Sequence, residues 1–145
     1  YDDNFFNKLQ QLKYFHKAKF LGWKKSDEIF DLIQDCTAGL VNLLPRDNYY
    51  ESQPTKLYEY MMTGLPIIAS NFESWICRYQ KYNCCLFVDP LDLLDISNKI
   101  DQICLDSNLQ NFLSQNAIKA SKSIFNWNNE EKKLIQLYKA LQKST

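Results

Sequence analysis

A chain of 145 residues suits one domain. Seventeen basic residues balance seventeen acidic ones, so nothing in the charge argues for nucleic acid or an anionic membrane surface as a partner. No apolar run reaches the roughly 20 residues of a membrane-spanning helix, and no signal peptide opens the chain.

Residues 2–15 carry Phe5, Phe6, Leu9, Leu12 and Phe15 at helical spacing and predict a first helix. Lys17 to Gly22 predicts a strand that runs into Trp23. A parallel sheet would be expected to open on a strand, so this helical start is unusual. Ser26 reads as the N-cap of a second helix, with Asp27 and Glu28 in the favourable first turn and Ile29, Phe30, Ile33 and Cys36 on its apolar face. Ala38 to Leu44 predicts a central buried strand. It feeds a loop, Pro45 to Gln53, at the carboxyl end of that strand, which is where open α/β sheets bind ligands.

The stretch from Asn48 to Ser70 reads as loop, helix, tight stop and buried strand. Pro54 suits the first helical position, where its missing N–H is no loss. Gly64 suits a left-handed C-terminal cap, and Leu65 to Ala69 predicts a strand buried on both faces. Leu57, Tyr60 and Met61 share the face that must pack on the sheet. The first turn, Pro54-Thr55-Lys56, contains a cation and no acid, although a helix start favours an acid by about 0.3–1 kcal/mol. Free N–H groups, a hydroxyl and an ammonium at that position suit an anion, phosphate above all. Glu59, just over a turn along, leans back towards the start. Glu51 precedes the helix on the other side of the same position. Two acids flanking an anion site suggest a nucleotide sugar, although the residues alone also fit an ordinary helix with a surface glutamate at each end.

Residues 72–81 predict an amphipathic helix with Phe72, Trp75, Ile76 and Tyr79 inward, followed by a strand over 84–88. Helices are predicted over 91–104 and 107–122, with Leu94, Ile100, Ile103, Leu113 and Ile118 on their stripes. A last helix starts near Asn128 and carries Leu134, Ile135, Leu137, Tyr138 and Leu141. Strands separated by helices predict an α/β fold with a parallel sheet.

Five cysteines (Cys36, Cys77, Cys84, Cys85 and Cys104) show no metal-ligand spacing and read as reduced core thiols of a cytoplasmic protein. His16, the only histidine, falls at a helix end. There is no nucleophile elbow and no glycine-rich phosphate loop. Asp89, Asp92 and Asp95 read as helix-start acids.

Glu51 and Glu59, followed by Tyr60-Met61-Met62-Thr63-Gly64-Leu65-Pro66-Ile67-Ile68-Ala69-Ser70, resemble the signature of retaining GT-B glycosyltransferases of family 4. The form Pro-Thr-Lys-Leu-Tyr-Glu-Tyr-Met is similar to the branch that builds capsular and surface polysaccharides. The resemblance implies the carboxyl-terminal half of a GT-B fold, a Rossmann-like parallel sheet flanked by helices that lacks its first strand here and whose amino-terminal acceptor lobe is absent. It implies donor-binding roles for Glu51 (the sugar), Glu59 (the ribose) and the amides of Thr55 and Lys56 (the diphosphate), with Ser52 in the same set. Gly22 and Trp23 would lie beside the base, and Tyr50 would wall the pocket. The substrate would be a UDP or GDP sugar, with no further cofactor and no metal. The family's basic pair is not found, so no catalytic residue is assigned and the isolated chain is expected to be inactive. A non-catalytic nucleotide-sugar-binding or assembly module is the alternative. The missing strand would also leave unpaired backbone open to self-association. The full-length enzyme would be cytoplasmic or peripheral to a membrane.

Overall fold

A computed structural model describes residues 3–143, with side chains placed over 4–142. In chain order the elements are α1 (Asp3–Gln10), α2 (Ser26–Gln34), β1 (Gly39–Val41), α3 (Asp47–Tyr50), α4 (Thr55–Thr63), β2 (Ile67–Ser70), α5 (Glu73–Tyr79), β3 (Cys85–Val88), α6 (Leu93–Leu105), α7 (Ser107–Ser123) and α8 (Trp127–Lys143). The strands form one sheet in the order β1-β2-β3. Both pairings are parallel, with Gly39 opposite Ile67 and Ile67 opposite Cys85. This is the α/β fold with helix-flanked parallel strands that the alternating pattern predicts.

Strand β2 is buried along its whole length, and its alternation divides the core. Ile67 and Ala69 point into one cluster with Val41, Leu57, Met61, Trp75 and Tyr79. Ile68 points into the other, with Val88, Ile103 and Leu113. Helix α4 packs so closely on β1 that a Cβ at Gly39 would meet the Tyr60 ring at 2.5 Å. Gly64 closes α4 at φ 72°, the left-handed cap read from the sequence.

Several expectations are corrected. The strand over Lys17–Gly22 does not form: His16 and Lys17 close a short 3-10 turn, and residues 16–22 are exposed. An extended segment becomes a strand only by pairing. Here Phe20 packs instead edge-on against Phe6, with ring centroids 4.9 Å apart. The predicted first helix ends at Gln10, and Leu12 beyond it is exposed. Strand β1 is an edge strand of three residues rather than a central one. Leu40, on the face where Ile68 and Leu86 are covered by α6 and α7, is 48% exposed. Helix α4 begins at Thr55, with Pro54 one step outside it. Ser26 makes no capping hydrogen bond. The Glu28 carboxylate instead accepts from the Lys25 amide at 2.9 Å, and that bond is the main cause of the Glu28 carboxyl lying below its ordinary range.

Two further corrections concern the thiols and the later helices. Cys84 and Cys85 are buried, but Cys36, Cys77 and Cys104 are exposed, so only two of the five are core thiols. Leu94 lies on the solvent side of α6, and the apolar stripe of α8, from Leu134 to Leu141, is exposed. Among the described residues no helix is long and apolar enough to cross a membrane.

At Gly64, an added Cβ would lie 2.8 Å from Ile118 Cδ1 of α7 in addition to the left-handed strain. Gly64→Ala should therefore lower the unfolding free energy by at least about 1–2 kcal/mol, read as a lower urea midpoint at unchanged slope.

Candidate functional site

The carboxyl ends of the parallel strands carry the site, and a buried hydroxyl ties two of them together. Ser70 ends β2 fully buried. Its Oγ accepts from the Leu43 amide at 2.8 Å and donates to the Leu43 carbonyl at 2.8 Å, with Asn42 Oδ1 a further acceptor at 3.4 Å. The chain leaving β1 is thus fixed by side-chain bonds just beyond the point where ladder pairing stops.

That exit forms one wall of a cavity of about 300 Å³, lined by Leu40, Val41, Asn42 and Leu43 on one side and by Pro54, Thr55 and Lys56 on the other. The second wall is the start of α4. No side chain caps this helix, and no acid lies in its first turn. The Leu57 amide reaches back to the Pro54 carbonyl at 3.1 Å, while the amides of Thr55 and Lys56 have no acceptor among the described residues.

The contrast with other helix starts is physical. Asp92 accepts from the amides of Leu94 and Asp95 at the start of α6, and Asp106 from Leu109 at the start of α7. Asn126 Oδ1 accepts from the Asn129 amide beside α8. Helix α5 lacks a side-chain cap but has Glu73 in its first turn. Only α4 of these presents uncapped amides together with a cation. Two orphan donors, the positive end of the helix dipole and the Lys56 ammonium make this cavity receptive to an anion.

The other sequence-predicted residues do not line the cavity. Glu51 is exposed in the loop between α3 and α4, and Ser52 Oγ donates to the Tyr49 carbonyl at 2.8 Å. Glu59 is half-buried one turn into α4. Its carboxylate, after burial itself, is the next cause raising the Tyr60 phenol above its ordinary pKa. Tyr50 packs on Phe72, with centroids 4.9 Å apart. Gly22 takes a left-handed φ of 67°, and Trp23 is 80% exposed. Thr55 and Lys56 are the residues of the predicted set that meet at the cavity. Sequence reasoning missed Ser70 and Asn42, although a serine closing an otherwise apolar strand was a readable signal.

Size does not choose the site. A cavity of about 470 Å³ lies between Tyr58, Arg78, Phe125 and Trp127. Another of about 370 Å³ lies at the opposite end of the sheet, between the carboxyl ends of α2 and α4. The first is lined by Tyr58, Phe125 and Trp127 together with Arg78, Glu130 and Lys133, the last two paired with each other at 2.6 Å. The second faces the negative ends of two helices. Among the described residues, no group of three His, Cys, Asp or Glu side chains is placed to hold a metal.

A parallel α/β sheet with an anion-receptive helix start at its carboxyl edge is the class of domain that binds ligands where its strands end. The family model described as Glycosyl transferases group 1 matches residues 1–120, and the chain belongs to that family of glycosyltransferases. No curated protein matches the chain.

Tyr79 supports the loop beside the site and provides a test of its packing. Its hydroxyl lies 2.9 Å from that of Tyr58, which donates to Gln53 Oε1 at 2.8 Å. Burial first, then the bond to Tyr58, push the Tyr79 phenol far above its ordinary value of 10.0. The folded chain therefore keeps a proton that the unfolded chain loses. Its contribution is fully present below about pH 10 and is lost as pH rises further, at up to about 1.4 kcal/mol per pH unit. Urea titrations between pH 9 and 11 should show that fall, with a shallower slope in Tyr79→Phe.

Proposed function

We propose that the chain is the donor-binding domain of a retaining glycosyltransferase, of the branch that builds surface polysaccharides. It binds a nucleoside-diphosphate sugar with the diphosphate at the start of α4. The observation that carries this reading is the pair of unpartnered amides, Thr55 and Lys56, on the wall of the cavity at the strand ends. In this reading Glu59 accepts from ribose hydroxyls and Glu51 from hydroxyls of the transferred sugar, while the acceptor is held by a second lobe.

Transfer breaks the bond between the anomeric carbon and a diphosphate oxygen. The sugar passes to an acceptor hydroxyl, whose proton goes to the departing diphosphate. Negative charge grows on the departing diphosphate, and the fixed amides with Lys56 are placed to stabilise it. The family's basic pair has no counterpart in this sequence, and in this reading the chain alone binds donor without turning it over.

Thermal shift with UDP and GDP tests the assignment. The cognate nucleotide at 100 times its Kd should stabilise the fold by about 2.7 kcal/mol. Lys56→Ala and Glu59→Ala should each weaken that effect, and Glu51→Ala should weaken only the response to a nucleotide sugar. Absence of a shift with either nucleotide would contradict the assignment, and turnover by the isolated chain would contradict its second part.

A further inference from the structure

Glu51 is flanked on both sides by carbonyls that one helix turn holds. Ser74 Oγ donates to the Tyr50 carbonyl, and Trp75 Nε1 donates to the Ser52 carbonyl at 2.9 Å. Consecutive residues of α5 therefore pin the positions immediately before and after Glu51. The Tyr50 ring rests on Phe72 at 4.9 Å, and Phe72 lies 5.0 Å from Trp75. One residue further along, the Gln53 side chain is held by Tyr58 at 2.8 Å.

Trp75 is 1% exposed, so its indole N–H has little access to water and depends on the Ser52 carbonyl. The Glu51 carboxylate has no hydrogen bond or ion pair among the described residues, although its neighbours on both sides are fixed. A surface loop whose acid served only solubility would need none of these pins. A carboxylate with its lone pairs free on immobilised backbone is preorganised to accept from hydroxyls.

We propose that Trp75 and Ser74 are positioning residues for Glu51, setting the acid that tells a nucleotide sugar from the bare nucleoside diphosphate. This rests on the donor reading above. It adds a specificity device built from α5, an element outside the stretch that carries the two glutamates.

The test uses the whole chain with Trp75→Phe, which removes the N–H and keeps a ring, and Ser74→Ala, a change outside the buried core. Calorimetry with UDP, GDP, UDP-glucose and GDP-mannose is paired with amide hydrogen exchange across residues 50–53. Each variant should lose on the order of tenfold in affinity for the sugar nucleotide that binds the unaltered chain. Its affinity for the matching nucleoside diphosphate should stay unchanged. Exchange at 50–53 should quicken while β2 and β3 keep their protection. Equal losses for both ligands, or unaltered exchange in the loop, would overturn the proposal. If the unaltered chain binds none of the four probes, the donor reading fails on its own, and the exchange measurement still decides whether α5 holds the loop.

Discussion

Parallel strands cannot be joined by a tight turn, and that constraint governs what this chain builds. Each step from β1 to β2 to β3 needs a crossover, so each strand ends at the same side of the sheet and each connecting helix begins there. Strand β2, buried on both faces, requires helices above and below it, with Ile67 and Ala69 serving one core and Ile68 the other. Helix α4 is consequently pressed against β1 through Gly39 and against α7 through Gly64, with no room to shift. Its start is fixed opposite the exit of β1, and the cavity between them follows from the topology.

What the sequence adds to that topology is the unsatisfied helix start. The three long helices that follow are closed by Asp92, Asp106 and Asn126, and α5, which has no side-chain cap, carries Glu73 in its first turn. At α4 the chain places a proline, a threonine and a lysine. Leaving two amides unpaired forgoes the stability a cap would add, typically about 1 kcal/mol, and leaves a helix start receptive to an anion. Such departures from local rules tend to fall at functional places. Around that site a second layer of bonds holds the surroundings still: Ser70 fixes the chain after β1, while Ser74, Trp75 and the Tyr58–Tyr79 pair fix the loop before α4.

Much of this was legible beforehand because it is encoded locally. Gly64 and Pro66 announce the end of one helix and the start of a strand within three residues, and the apolar, partly β-branched run at Leu65–Ala69 reads as a strand buried on both faces. The acid-free first turn of α4 is likewise visible in Pro54-Thr55-Lys56. The features that depend on partners were not. Whether Lys17–Gly22 becomes a strand is decided by what pairs with it, and propensity carries no information on that. The same holds for β1, whose apolar residues suit a central strand although one edge is open among the described residues. The clamp on Glu51 is made by residues more than 20 positions away, Ser74 and Trp75, whose hydroxyl and indole look in sequence like an exposed serine and a core aromatic.

The central claim is that the start of α4 is kept open for a diphosphate, and amide chemical shifts report on it directly. Titrating the labelled chain with inorganic pyrophosphate, then with UDP and GDP, should move the Thr55 and Lys56 amides first and furthest, with Asn42 and Leu43 responding beside them. Shifts centred instead on Arg78, Phe125 and Trp127, around the larger cavity, or no response at Thr55 and Lys56, would contradict it.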